Sequence, residues 1–208
     1  MNSHTAARGV AHSAQANARL GSGDAAIQDE VAYALALLRR PMSAAGVFGL
    51  AVALSLVAFL RFGSTPRLWG LVPLLIALAV TIVLDLRAKV IPDIVTLPGI
   101  VYALALAAVV GTPALWEAVL GAVAGGGILL LLAVVSRGAF GGGDIKLMAM
   151  LGGALGWKGA LVVLAFSQVA AALAALGLLI AHRAGRRDPL PVGAVISLLG
   201  AVMLLGKP

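Results

Sequence analysis

Apolar runs succeed one another along this chain from residue 44 onward, separated by short polar or glycine–proline breaks. The first run covers about 44–60. Gly63, Ser64, Thr65 and Pro66 then supply a turn. A second run, about 68–86, carries Asp85 at its end and leads into Arg87-Ala88-Lys89. Pro92 suits the first turn of a third run, about 93–110. Gly111-Thr112-Pro113 makes a tight turn before the fourth, about 114–135, in which Gly121, Gly125, Gly126 and Gly127 offer small faces for close helix contact. After the glycine-rich stretch 136–143 comes a fifth run, about 144–156. At 1.5 Å per residue it covers roughly 20 Å, less than a bilayer core of about 30 Å. It is expected to be a short or partly inserted helix, or to borrow residues beyond Gly156. The sixth run covers about 160–181 and the seventh about 190–205. Between them lies a basic loop with His182, Arg183, Arg186, Arg187 and Asp188. The predicted fold is all-α: a polytopic membrane helix bundle of about seven apolar segments.

The first 42 residues differ from the rest. They are polar, rich in Ala, Ser, Gly and Asn, and hold no apolar core of a secretory signal. Asp29-Glu30, then Val31, Ala34, Leu35 and Leu38, then Arg39-Arg40 predict a short amphipathic helix ending before Pro41. Its acids stand at the N-terminal end and its bases at the C-terminal end, as the helix dipole favours. It is expected on the membrane surface or as a solvated linker. The chain thus divides into a polar tail at 1–42, an additional span and loop at 43–67, and a six-segment core at 68–206.

Composition narrows the class. Hydrophobic residues make up 62% of the 208 and charged residues 11%. A soluble domain of this size has too little polar surface to cover that much apolar material. There is no cysteine, which excludes disulfides, thiolate metal sites and thiol nucleophiles. A net charge of +7 could suggest nucleic acid, but aromatic residues are only 5%, too few for base stacking. The bases instead set topology. With the N-terminus in the cytoplasm and seven alternating segments, the inner side collects Arg8, Arg19, Arg39, Arg40, Arg87, Lys89, Arg137, Lys146, Arg183, Arg186 and Arg187. The outer side collects Arg61, Arg67, Lys158 and Lys207. Eleven against four is a positive-inside bias. The same alternation puts Asp85 and Asp144 on the inner side, though neither entered the count.

An aspartate set among apolar runs in a membrane protein is expensive and marks a functional site by default. Asp144 follows Gly141, Gly142 and Gly143, which allow a turn and a close approach of backbone. Two carboxylates side by side do not both ionise readily, so one holds a proton while the other acts as base. A water between them could be activated to cleave a peptide, with no metal, cofactor or histidine needed. His4 and His12 lie in the tail and His182 in a loop. Of the other acids, Asp24, Asp29, Glu30 and Asp188 read as solvated. Glu117 reads as reaching the interface, and Asp93 as an N-terminal cap. Asp85 could instead pair structurally with Arg87 or Lys89, and Asp144 could be only a helix cap.

The two stretches Leu84-Asp85-Leu86-Arg87-Ala88-Lys89-Val90-Ile91-Pro92-Asp93 and Gly141-Gly142-Gly143-Asp144-Ile145-Lys146-Leu147, taken together, resemble the prepilin peptidase (type IV leader peptidase) family of Gly-x-Gly-Asp membrane aspartyl proteases. The resemblance covers about 68–205. It implies that Asp85 and Asp144 are the catalytic pair, and that Gly141, Gly142, Gly143, Lys146, Pro92, Pro191 and Gly193 shape the motif and its loops. It also implies the substrate: a type IV prepilin or related pseudopilin whose basic leader is cut, after a glycine, from an apolar N-terminal helix lying in the bilayer. The setting it implies is a bacterial inner membrane, with the site on the cytoplasmic side, in pilus assembly or protein secretion.

Two departures bear on this. Longer family members carry a cytoplasmic insert with paired cysteines associated with N-methylation. This chain has neither, so it resembles the short, peptidase-only branch serving tight-adherence (Flp-type) pili and archaeal flagellins. Where many members show a Leu-Pro-Phe-Gly-Pro-like stretch, this chain has Leu190-Pro191-Val192-Gly193-Ala194. Pro191 and Gly193 could shape the cleft wall, with helix breaking as the simpler role. A presenilin-type protease is a poorer fit, because Leu84 precedes Asp85 and no Pro-Ala-Leu follows near the C-terminal end. A proton-coupled transporter would suit a carboxylate pair, but no inverted repeat of either motif is visible. A non-catalytic assembly protein is the remaining alternative.

Overall fold

The structure is a computed structural model that describes residues 41–136, 140–180 and 192–206, together with Ala32 and Ala36. Among the described residues six helices follow in order: α1 (Pro41–Phe62), α2 (Pro66–Ala88), α3 (Asp93–Val110), α4 (Leu115–Val135), α5 (Gly142–Ile180) and α6 (Val192–Gly206). No strand occurs among the described residues. The first five are long and apolar enough to cross a membrane, and α6 is a shorter apolar helix. The amphipathic helix expected at 29–40 lies outside the described residues except for Ala32 and Ala36, which are helical.

Local chemistry sets the helix ends. Thr65 caps α2, its hydroxyl accepting from the Leu68 N–H at 3.4 Å, and Pro66 opens the first turn. The α2 helix ends at Lys89, whose backbone is left-handed (φ 54°) and whose N–H donates to the Asp85 carbonyl at 2.9 Å. The α3 helix starts one residue after Pro92, so that proline caps the helix rather than occupying its first turn. It ends at Gly111, in the left-handed region at φ 73°. Glu117 reaches back to the Ala114 N–H at 3.4 Å, closing the first turn of α4.

The fifth and sixth apolar runs are joined directly within α5, whose backbone leaves the helical conformation at Gly156 (φ 74°, ψ 174°). The contacts of α4 show what happens there. A side chain at Gly125 would meet the Met148 carbonyl at 2.9 Å and the Ala160 Cβ at 3.5 Å. Residues twelve apart in a straight helix are separated by about 18 Å. Met148 and Ala160 can flank one glycine only if the chain doubles back, so residues 142–155 and 157–180 form two arms of a helical hairpin. This resolves the length deficit of the run 144–156: it descends, turns at Gly156 and returns. A side chain at Gly121 would run into the backbone of Gly152 and Gly156 at the turn, so α4 and α5 meet there backbone to backbone.

The core is formed where α2, α5 and α6 meet, by Leu74, Leu75, Leu78, Leu147, Met148, Leu151 and Ile196. The α6 helix runs alongside the first arm of α5. Gly193 lies by Asp144 at one end, and Gly200 takes the side chain of Leu151 further along. The α3 helix packs on α5 and is tied to α2 by the Tyr102 hydroxyl, which donates to the Gly70 carbonyl at 2.9 Å. The α1 helix lies outside, against α2. One end of the bundle therefore gathers the end of α2 and the starts of α3, α5 and α6.

Candidate active site

Asp85 lies in the last turn of α2 and is only 5% exposed. A carboxylate so enclosed needs hydrogen-bond donors. The start of α6 supplies them: the Ala194 N–H donates to Asp85 Oδ2 at 2.6 Å, and the Gly193 N–H also acts on this carboxylate. These N–H groups have no partners within α6, because the first turn of any helix leaves its donors unused. The helix dipole adds a favourable field for an anion at that point.

Asp144 is the third residue of α5. Its Oδ2 accepts from the Gly141 N–H at 3.2 Å, while its own N–H donates to the Gly141 carbonyl at 3.1 Å. Asp144 thus reaches back over the first turn as the acid of a capping box does. Its other oxygen, Oδ1, faces α6: a Cβ on Gly193 would lie 3.1 Å from it. Asp144 is also close enough to feel the charge of Asp85. The two aspartates, 59 residues apart in the numbering, converge on the dipeptide Gly193-Ala194.

The other expected residues fall into place unevenly. Gly141 is the backbone partner of Asp144. Gly143 sits against Ile91, where a Cβ would come within 2.7 Å of the Ile91 Cβ. Gly142 has open space beside it, and nothing in the structure explains a glycine there. Pro92 is buried, and its carbonyl accepts from the Val95 and Thr96 N–H groups at 3.1 and 3.3 Å. Lys146 forms an ion pair with Asp93. The cap of α3 has no side-chain hydrogen bond, so the expected capping role of Asp93 is replaced by this pairing across to α5. Pro191 lies outside the described residues, as does the basic loop 182–188. Gly193 is more than a helix breaker, because a side chain there would enter the space of both Ile91 and Asp144.

Two participants carry no sequence signal of their own. Ala194 acts through its backbone N–H, which every residue but proline has. Ile91 is one apolar residue among many, and only its place before Pro92, in the stretch after Asp85, sets it apart. Among the described residues, no three histidine or acidic side chains gather as a metal site would require.

A family model described as the type IV leader peptidase family matches residues 72–176, which include both aspartates. Several relatives carry the name prepilin leader peptidase/N-methyltransferase. The protein of Aeromonas hydrophila is 32% identical over 145 residues, covering 66% of this chain and 50% of the relative. That of Bacillus subtilis is 33% identical over 141 residues, covering 67% and 56%. That of Burkholderia pseudomallei is 36% identical over 169 residues, covering 77% and 53%. The chain spans about half the length of the curated relatives it matches. No solved structure matches it.

Proposed function

The chain belongs to the type IV leader peptidase family, and from that premise we propose that it is a multi-pass membrane aspartic endopeptidase that removes the leader from prepilin-like precursors. Asp85 and Asp144 are the catalytic pair in this reading. The observation that carries it is the convergence of both carboxyl groups on Gly193-Ala194 at one end of the bundle. One carboxyl group holds a proton and the other does not. The unprotonated one takes a proton from a water between them, and the resulting hydroxide attacks the scissile carbonyl. The protonated one gives its proton to the carbonyl oxygen, and the leaving amine is protonated in turn as the tetrahedral intermediate collapses. The fixed N–H groups of Gly193 and Ala194 hold Asp85 in place, so little reorganisation is needed at the moment of reaction.

The substrate is a precursor with a polar leader followed by an apolar helix. Such a helix can lie in the bilayer against the bundle while its leader reaches the end where α2 stops and α5 begins. That end is cytoplasmic in the proposed topology, in a bacterial inner membrane. Arg87, Lys89 and Lys146 lie near it, while Arg61 and Arg67 lie at the opposite end of α2 and Lys158 by the Gly156 turn; the assignment of sides rests on the eleven-against-four count over the whole sequence. Peptide cleavage alone is proposed. The second activity in the relatives' names is not extended to this chain.

Co-expression with a prepilin-like precursor tests the reading. Asp85→Asn and Asp144→Asn keep the shape of the side chain but cannot carry the proton. Each is expected to abolish leader removal while the protein stays in the membrane. Processing at the wild-type rate by either variant would remove that aspartate from the mechanism. A proton-coupled transporter would give no leader removal even with the wild-type chain. Because the chain has no cysteine, single cysteines placed at Leu86 and at Lys158 report the topology by labelling from either side. The first is expected to react from the cytoplasm and the second from the opposite face.

A further inference from the structure

Between Asp85 and the start of α3 the chain passes through Ile91, a half-buried residue. Two glycines that face it come from different helices. A Cβ on Gly143 would lie 2.7 Å from the Ile91 Cβ and 3.1 Å from its carbonyl oxygen. A Cβ on Gly193 would collide with Ile91 Cδ1 and lie 3.1 Å from Cγ1. Ile91 therefore occupies the side-chain space of both glycines. Gly143 immediately precedes Asp144. Gly193 immediately precedes Ala194, whose N–H holds Asp85. One side chain touches the backbone at the root of each carboxylate site. Two residues on, Asp93 pairs with Lys146, tying the same loop to the first turns of α5.

We propose that Ile91 is a positioning residue that sets the separation of Asp85 and Asp144 by filling the gaps at Gly143 and Gly193. The inference rests on the reading of the two aspartates as the catalytic pair. Its physical basis is stiffness. A β-branched side chain has restricted χ1 freedom, so it acts as a spacer of fixed shape. Packed protein responds to the loss of a single methylene. A misplacement of about 1 Å between reacting groups can reduce rate by about 10²-fold. A gap at Ile91 would let the start of α6 move toward or away from Asp144, which changes the site for the water more than the site for the substrate helix.

The test is steady-state cleavage of a prepilin-like precursor by the purified full-length chain in detergent, with kcat and KM measured separately. Ile91→Ala is expected to lower kcat about 10- to 100-fold with KM within about twofold, and Ile91→Val to fall between it and wild type. Gly193→Ala is expected to be impaired chiefly because its methyl group collides with Ile91 Cδ1, the nearest atom, with Asp144 Oδ1 further off at 3.1 Å. The double variant Gly193→Ala/Ile91→Val lacks that Cδ1 and is expected to recover several-fold over Gly193→Ala alone. Thermal melting in detergent identifies any variant that fails to fold, and Ile91→Val, the mildest change, is then decisive. A wild-type kcat for Ile91→Ala, an effect confined to KM, or a double variant no better than Gly193→Ala would overturn the proposal. Asp85→Asn and Asp144→Asn, run beside them, separate the two ideas. Wild-type activity in either asparagine variant rejects the catalytic pair. Inactive asparagine variants with no Ile91–Gly193 rescue reject only the spacer.

Discussion

Helices α1 and α2 are neighbours in the chain, touch one another, and are described over 22 and 23 residues. Both are apolar enough to span a membrane. Yet only 6% of the residues in the apolar window of α1 are buried in the protein, against 61% for α2. In water such a difference would be read from a hydrophobic stripe. In lipid, apolar surface has no reason to seek the interior, because the acyl chains are as apolar as leucine. What marks α2 as central is its polar and small content. Gly70 makes room for Leu106 and offers its carbonyl to Tyr102. Thr81 is fully buried with its hydroxyl bonded to the Ala77 carbonyl at 2.9 Å, and Asp85 is held by α6. The α1 helix has Gly49 facing empty space, and Phe48 and Leu60 about three-quarters exposed.

That contrast can be broken by substitution. The largest effect is expected on activity at Asp85. Asp85→Asn should reduce cleavage by about 10²- to 10⁴-fold, the range for loss of a general acid or base, and no α1 substitution should approach it in the same processing assay. Stability comes next. Leu78→Ala in α2 empties space inside the bundle and should cost about 2–5 kcal/mol, seen as a lower melting point in detergent. Gly121→Leu should cost at least about 1–3 kcal/mol by overpacking against the Gly152 carbonyl, whereas Gly49→Leu on α1 should melt like wild type. Lys146→Met removes an ion pair about one third exposed at each partner. It should cost less than about 1 kcal/mol, an effect that shrinks as salt is added. The smallest change is expected for Val52→Ala on α1, within about 0.5 kcal/mol. A Val52→Ala variant that melted like Leu78→Ala would mean that α1 has a protein partner on its outer face.

The same contrast explains what could be read from the sequence. Asp85 and Asp144 stood out because a carboxylate between apolar runs has no cheap structural reason to exist. The helices were visible as apolar runs because spanning lipid demands them. Their arrangement was not visible. The hairpin at Gly156 showed only as a run too short to cross, since one glycine with φ 74° looks like any other in the text. Asp93 was assigned a local cap because its neighbours in sequence suggested it, but its partner Lys146 lies 53 residues away. Gly193 was expected to shape the cleft wall or, more simply, to break the helix. Its real constraint is contact with Ile91 and Asp144, brought there by the packing of α6 on two other helices. At Glu117 the structure adds a local backbone partner, the Ala114 N–H, that was not anticipated.

The turn at Gly156 has a consequence for what that position tolerates. With φ 74° and ψ 174°, it suits only a residue without a Cβ. A Cβ there would also lie 3.2 Å from the Pro113 Cβ and 3.5 Å from the Glu117 Cβ. Any side chain at this hinge would be felt on both arms of α5 and at the start of α4 together, at the end of the bundle away from the aspartates.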